Sequence, residues 1–406
     1  MLAVMAWRNL WRRPVRTGLS LISMVLTTML LVFMLSFQLG IYDTMKGNAL
    51  RLLDGFAQIQ PPGYLADPDI RKTIAAPGDL AAAARKVPGV TAAAPRASTY
   101  VILSNGELSY GGAVIGVDPT AEVQVSRLQA TVHHGRYLAA SDSDAIVLGD
   151  VLARNLKLSL GDRVTLLGSS ADGGIAADSL RIVGLFHTGM AEIDRQVAEM
   201  PLARFQESFG LGDAANVIAL SGPSLGAVQR AQPALTQLAQ SQGLVLRDWA
   251  ALEPALQQGI TLDFATALFW YATLVIVVVF IILNTLLMSV LERTREFGML
   301  LALGMRPMQI GRLVWMELLM LSVMGNGIGA GLGAALAAWL QVRGIVFPGF
   351  EGALALWGLP PRLYPTLSWT SALSPPAVMV ACIALAGTGV FLRLRRLEPV
   401  PAMRAA

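Results

Sequence analysis

The chain is poor in charge and in the residues that hold disulfides or metals. Of its 406 residues only 14% are charged, against about 25% in an ordinary soluble domain. With 54% hydrophobic residues, that deficit excludes a wholly water-exposed chain and points to several membrane spans beside a soluble part. A single cysteine, Cys382, excludes an intramolecular disulfide framework and a cysteine-cluster metal site. It lies in an apolar run and reads as a small packing residue. Three histidines are too few for a His-rich site. His133 and His134 are adjacent, so their side chains should diverge, and they read as an exposed turn; His187 reads as a strand-end residue. No metal ligand set is expected. None of the four lysines (Lys46, Lys72, Lys86, Lys157) follows a glycine, which excludes the phosphate-cradling G-x-x-x-x-G-K-[ST] loop. Ser, His and Asp show no interpretable catalytic spacing, so no catalytic residue and no enzyme activity are expected. The net charge of +4 is too weak to argue for nucleic acid.

What the chain does have is four charge-free stretches, within 17–42, 264–291, 318–342 and 363–392. Each exceeds the roughly 20 residues that cross a bilayer as a helix. The first is too long for a signal peptide, and no A-x-A site follows it, so it reads as a retained span. Twelve arginines sit in three short segments: Arg8, Arg12, Arg13 and Arg16 before the first span; Arg293, Arg295, Arg306 and Arg312 between the second and third; Arg393, Arg395, Arg396 and Arg404 after the fourth. The short segment after the third span has only Arg343 and Arg362. The positive-inside rule then makes both termini cytoplasmic.

The expected organisation is a cytoplasmic amphipathic helix (1–16), a first span (17–42), an outside domain (43–263), a second span (264–291), a cytoplasmic loop (292–312), a third span (313–342), a second outside loop (343–373), a fourth span (374–392) and a cytoplasmic tail (393–406). In the outside domain FAQIQ, TYVIL, GAVIGVD, AIVLG, RVTLLG, LRIVGLF, NVIALSG and LVLRDW read as strands. GDLAAAARKV, GDVLARNLKL, PLARFQESFG and SLGAVQRAQPALTQLAQSQ read as helices, Asp150 as an N-cap. The expected fold is therefore an α-helical membrane protein with four transmembrane helices and a large mixed α/β domain. The apolar second loop, with Pro348, Pro360, Pro361 and Pro365, opposes a continuous helix; Trp357, Tyr364 and Trp369 read as interfacial anchors.

Three segments stand out. In the opening helix, Trp7 and Trp11 share one face, as do Arg8 and Arg12, which suits a helix lying in the headgroup region. In the loop after the second span, Phe297, Met299, Leu300, Leu301 and Leu303 form a short apolar helix that breaks near Gly304, and Pro307 stops it running into the third span. Such a helix needs lipid or a protein partner to cover it. In the third span Gly325, Gly329 and Gly333 repeat every four residues and allow close helix packing. Asn284 and Asn326 read as interhelical hydrogen-bonding residues. Glu317 reads as paired with Arg312 or an arginine of the opening helix.

The run Glu292-Arg293-Thr294-Arg295-Glu296-Phe297-Gly298, followed by Ala302-Leu303-Gly304-Met305, resembles the signature of FtsX-like permeases. That superfamily includes the MacB-type and LolC/LolE-type ABC transporters. Ala6-Trp7-Arg8-Asn9-Leu10 with Arg13-Pro14, and the tail Leu397-Glu398-Pro399-Val400-Pro401-Ala402-Met403-Arg404, are similar to it too. GVDP (116–119), IVLGDVLARNLKLSLGDRVTL (146–166) and RIVGLFHTGMAEID (181–194) are most similar to the lipoprotein-releasing LolC/LolE branch. Met305-Arg306-Pro307 departs from the common pattern, which has a small residue and then a polar or basic pair.

The resemblance implies a MacB-like periplasmic domain in the bacterial inner membrane. It also implies two permease chains, identical or paralogous, and two ATPase subunits that bind the ATP and Mg, with no cofactor in this chain. The segment from Arg295 to Arg306 would be the coupling helix: Phe297, Gly298, Leu300, Leu301, Gly304 and Met305 would fill an ATPase groove, with Arg295, Glu296 and Arg306 at its rim. The implied activity is extraction of a lipoprotein, lipid or other amphipathic substrate from the outer leaflet and its transfer to a periplasmic carrier or adaptor. Leu35, Phe37, Phe264, Leu268 and Phe269 would wall the substrate cavity. The alternatives are MacB-like tripartite efflux and FtsX-like mechanical transmission to a cell-wall hydrolase.

Overall fold

A computed structural model describes residues 2–12, 14–356 and 359–394. Arg13, Trp357 and the tail motif at 397–404 lie outside the described residues. Among the described residues, four helices are long and apolar enough to cross a membrane: Pro14–Asp54, Pro254–Glu292, Pro307–Arg343 and Trp369–Gly389. The first two run well past the charge-free stretches, because backbone hydrogen bonding carries a helix on after its apolar residues end. The chain divides into two compact units: one of Met1–Asp43, Gly259–Pro348 and the chain from Arg362 on, the other of Thr44–Gln258 and Gly349–Pro361.

The first unit is built on the four long helices. One core draws on all of them: Met24 and Leu31 from the first, Val278 and Ile282 from the second, Leu318 and Leu321 from the third, Met379 and Ile383 from the fourth. The third helix lies hard against the first along its glycine stripe. A Cβ added at Gly325 would lie 2.8 Å from the Met24 Cβ, one at Gly329 2.6 Å from the Val25 carbonyl oxygen, and one at Gly333 2.8 Å from that of Met29. Gly327 and Gly331 face open space, so the tight contact belongs to one helix face. Beside it the buried Thr28 hydroxyl donates to the Asn326 side chain, whose amide donates to the Ser322 carbonyl at 2.7 Å. Ser36 donates to Ser371 of the fourth helix at 3.0 Å.

The second unit carries ten strands: β1 (Ala57–Gln60), β2 (Ala92–Ser104), β3 (Ser109–Val117), β4 (Val132–Gly135), β5 (Ala145–Gly149), β6 (Arg163–Ser169), β7 (Ile175–Phe186), β8 (Val197–Pro201), β9 (Val217–Ser221) and β10 (Val245–Asp248). Six of them close on themselves, β2 to β3, β8, β5, β7, β6 and back to β2. Alternate residues point inward and fill this ring, among them Val101, Leu103, Val114, Ile146, Leu148, Val164, Leu166, Leu180, Ile182 and Met200. The bare backbone of Gly116 leaves room for the Phe205 side chain, whose Cβ an added Cβ would approach to 2.5 Å.

From the long strand β2 the sheet continues through β9 and β1 to β10. Helices Pro77–Arg85 and Leu225–Ser241 cover this half, packing Leu80, Ala84, Val228 and Leu235 on Ile59, Ile218 and Leu220. Leu225–Ser241 starts where Ser224 caps the Ala227 amide, and it buries Val228, Ala231, Leu235 and Ala239, one helical stripe. Two strands, β4 and β8, are absent from the sequence-based expectation. Their sequences, VHHG and VAEMP, put charge or histidine where a strand pattern asks for apolar residues.

The glutamate of β8 is fully buried. Arg96 of β2 makes a bidentate bond to Glu122 (2.9 and 2.6 Å), and Tyr137 donates to Glu199 at 2.6 Å. The other Glu199 oxygen has no hydrogen-bond partner. Burial, and then the nearby Glu122 charge, push the Glu199 carboxyl up to about 8.

Two predictions follow from these two units. Gly329→Ala should lower the midpoint of thermal unfolding in detergent, at a cost of about 1–3 kcal/mol from overpacking. Gly331→Ala, facing open space, should leave it unchanged or higher. Equal effects would remove the glycine contact as a packing constraint. In the second unit the folded state holds the Glu199 proton from about pH 4.5 to 8, where the unfolded chain has lost it, so stability falls as pH rises through that window. Glu199→Gln should flatten the decline in midpoint between about pH 5.5 and 8. Glu253, pushed up to about 7 by burial and by Asp54, leaves a residual slope in the variant.

Candidate functional site

Three segments meet at one end of the first unit: the opening helix Leu2–Leu10, the short helix Thr294–Ala302 and the first turns of Pro307–Arg343. The short helix follows Glu292 after a break at Arg293, whose φ of −99° and ψ of 7° leave the helical region. It ends where Gly304, at φ +95°, reverses the chain, and the Met305 amide reaches back to the Leu300 carbonyl at 3.0 Å. Pro307 then opens the third long helix at a position where its missing N–H is no loss.

Glu317 joins the three segments. It is 8% exposed; one oxygen accepts from Asn9 Nδ2 at 2.7 Å, the other from Arg293 Nη1 at 2.9 Å. The expected partners, Arg312 or an arginine of the opening helix, are therefore corrected to Arg293 and Asn9. At the depth of Glu317 the residue within reach from the opening helix is an amide, and Arg16 is engaged elsewhere. It grips Glu292 with both terminal nitrogens, at 3.0 and 2.6 Å. Glu296 lies 3.4 Å from Arg293 and 3.8 Å from Arg12. A cavity of about 500 Å³ opens among these groups, lined by Asn9, Arg12, Arg16, Arg293, Glu296 and Glu317 among others. The sequence reading missed Asn9 and the Arg16–Glu292 pair. Their signal was one basic and one acidic residue at the ends of two long apolar runs, where partnering is favoured.

The apolar face of the short helix turns inward. Phe297, 1% exposed, packs with Val290, Ile310 and Val314, and Leu300, Leu301 and Met305 join them at the edge. Gly298 is buried as well. This corrects the expectation that Phe297 and Gly298 are free to fill a partner's groove: the chain's own helices cover them, and they half-cover Leu300, Leu301 and Met305. What faces out is Arg295, Glu296, Met299, Ala302, Leu303, Gly304 and Arg306, with Leu303 84% exposed.

The expected cavity wall is not gathered into a pocket. Phe264, Leu268 and Phe269 are exposed on their helix, while Phe37 is half-buried, its ring 6.0 Å from Phe33 and 6.1 Å from Phe347; Leu35 is half-buried too. Near them the structure shows a polar cluster instead: Tyr42 and Gln38 both donate to Asp263, and Tyr271 donates to Gln38.

His187 stands at the end of β7, as expected, while His133 and His134 depart from the expected exposed turn and lie in β4. A bulge in β4 between Val132 and His134 breaks the alternation that would send neighbours to opposite faces. The His133 and His134 rings lie 4.4 Å apart, and the His133 ring is 6.1 Å from that of His187. His187 in turn faces Asp150 and Asp194. Asp150 is not an N-cap: Gly149 holds that position, and the Asp150 side chain bonds Arg154.

Four membrane-length helices, with a short helix clamped between two of them, define a multi-span membrane protein. The MacB-like periplasmic core domain matches residues 17–238, and the FtsX-like permease C-terminal region matches 268–399. The chain belongs to the family of ABC-transporter permeases with a MacB-like periplasmic core and an FtsX-like C-terminal region. It is 26% identical over 288 residues to the lipoprotein-releasing system transmembrane protein LolC of Neisseria meningitidis, covering 68% of this chain and 67% of that one. It is 25% identical over 341 residues to the pyoverdine export ATP-binding/permease protein PvdT of Pseudomonas aeruginosa. That match covers 80% of this chain but only 49% of PvdT, so the chain spans about half that relative's length. The periplasmic region of MacB from Actinobacillus actinomycetemcomitans is similar at 14% identity and a TM-score of 0.36, over 50% of this chain and 93% of that one. The family is that of membrane-spanning ABC-transporter permeases with a periplasmic domain, which work with ATPase components.

Glu317→Leu should release both the opening helix and the loop. Amide exchange over 2–10 and 294–302 should speed up by about tenfold or more in the full chain, with the rest of the third long helix unchanged. Unaltered exchange in both segments would show that Glu317 does not hold them.

Proposed function

We propose that the chain is the permease part of an ABC complex in which a separate ATPase subunit docks on the short helix Thr294–Ala302. Two permease chains and two ATPases form the unit, with both termini and the short helix in the cytoplasm and ATP and Mg held by the ATPases. The observation that carries this reading is the outward face of that helix. Arg295, Met299, Leu303 and Arg306 are exposed, while Phe297 on the opposite side and the Arg293–Glu317 pair fix the helix to the long helices. An exposed apolar centre with basic ends, on a rigid support, passes a push from a docked subunit to the spans without dissipating it.

The substrate proposed is a lipoprotein, lipid or other amphipathic molecule taken from the outer leaflet, and the similarity to LolC over 68% of the chain supports it. Each buried CH₂ of an acyl chain costs about 0.8 kcal/mol to remove from lipid, so extraction needs ATP. The similarity to PvdT favours a second reading, export through a MacB-like tripartite complex. In the first reading the exposed Phe264, Leu268 and Phe269 meet the acyl chain as it leaves the bilayer.

Met299→Glu combined with Leu303→Glu should reduce co-purified ATPase at least about tenfold, as burying two unpaired charges in an interface demands. Yield and thermal unfolding of the chain should be unchanged. Retained ATPase would end the docking reading. Phe264→Asp with Phe269→Asp should abolish ATP-dependent lipoprotein release from membrane vesicles while the ATPase stays bound. Normal release would remove the acyl-chain role, and a co-purified adaptor with an outer-membrane channel would move the function to efflux.

A further inference from the structure

At the C-terminal ends of the parallel strands β5 and β7, far along the chain from the coupling segments, Asp150, His187 and Asp194 bring one ligand atom each to within 4.8 Å of the others. His187 Nδ1 stands 3.1 Å from Asp194 Oδ2 and 3.4 Å from Asp150 Oδ1. The single proton an imidazole carries at Nδ1 can serve one carboxylate. Both carboxylates face this one nitrogen, and Asp150 Oδ1 is buried without a hydrogen-bond partner. Asp150 is only 8% exposed, and a buried carboxylate oxygen without a donor is a costly arrangement that calls for an explanation.

The rest of the cluster is built to hold these atoms in place. Arg154 takes the other Asp150 oxygen at 2.6 Å. The Thr188 amide and hydroxyl take Asp194 Oδ1 at 2.8 and 2.7 Å, and the Gly189 amide reaches Oδ2 at 3.2 Å. Asp194 is 1% exposed. Gly149 has no side chain, and a Cβ there would collide with the Asp194 backbone, so the helix that begins at Asp150 can sit close against this turn. His187, by contrast, is 55% exposed at its side chain, which leaves a way in from solvent. The bulge in β4 places the imidazole of His133 beside it.

We propose that Asp150, His187 and Asp194 form a binding site for a divalent transition-metal cation of zinc type. The donor set, one imidazole nitrogen and two carboxylate oxygens, suits such a cation. So does the spacing: zinc bonds of about 2.0–2.1 Å in a tetrahedron put neighbouring ligand atoms about 3.3 Å apart, and the two observed separations lie either side of that value. Asp150 Oδ1, Nδ1 of a His187 protonated at Nε2 instead, and Asp194 Oδ2 supply three ligands, and solvent supplies the fourth. Bound there, the cation ties the start of helix Asp150–Asn155 to the turn at 187–190 and the helix Ala191–Gln196. The site is independent of the transport reading.

The test uses the full-length chain in detergent, purified with a tag free of histidine, stripped with chelator and titrated with Co²⁺ and then Zn²⁺. The expected result is one Co²⁺ per chain with the intense visible bands of tetrahedral coordination, displaced by one Zn²⁺. H187A, at an exposed position, should weaken both at least tenfold with its circular dichroism unchanged, and D150N should do the same. The absence of a saturable one-equivalent site in the natural chain would overturn the proposal. So would undiminished binding in H187A.

Discussion

A carboxylate at the edge of an apolar bundle must be paired, and in this chain the pairing of Glu317 organises everything around it. Its two oxygens are claimed by different parts of the sequence, one by Asn9 and one by Arg293. The opening helix, the exit of the second long helix and the third long helix are thereby fixed in one arrangement. Exchange of either partner for solvent would leave a nearly buried charge uncompensated, which is far more costly than the pair is favourable. Arg16 and Glu292 repeat the device one layer further out. The short helix Thr294–Ala302 inherits its rigidity from these bonds and from Phe297, and its outward residues are displayed because its inward ones are held.

Within the bundle the first and third long helices meet where side chains are absent. Gly325, Gly329 and Gly333 bring the backbones close enough for Thr28 to reach Asn326. In a solvent of lipid tails there is little hydrophobic gain from helix association, so close backbone packing and a satisfied buried hydrogen bond do the work. The periplasmic domain is stabilised on different terms. Its six-stranded ring removes most sheet edges and packs an apolar interior, and the buried Arg96, Glu122 and Glu199 form a polar network outside that interior. Pairing between Arg96 and Glu122 is bidentate; Glu199 escapes the cost of a second buried charge by keeping its proton.

Much of this was legible in the sequence because it rests on periodicity and composition. Long runs free of charge give membrane-length helices, and the glycine spacing of four names the face that packs. Eight of the ten strands coincide with apolar or alternating runs, and the helix Leu225–Ser241 with a stripe of period 3.6. The two strands that escaped were those whose burial serves polar residues, β4 with its histidines and β8 with Glu199. For the same reason the histidine cluster escaped: residues 133, 150, 187 and 194 are separated by stretches of chain that carry no common pattern, and a bulge, which leaves no trace in composition, turns His133 toward His187.

Local sequence, then, determined which segments are helices and strands, which of them are apolar enough for a bilayer, and the family signature at 292–305. Those properties depend on the spacing of side chains along one element. Only the tertiary structure decided that Phe297 points inward while Leu303 points out, that Glu317 pairs with Arg293 and Asn9, and that Asp150, His187 and Asp194 share one corner. Each of those depends on which distant elements lie within a few ångströms of one another, and that is set by packing of the whole unit, where no single segment holds the information.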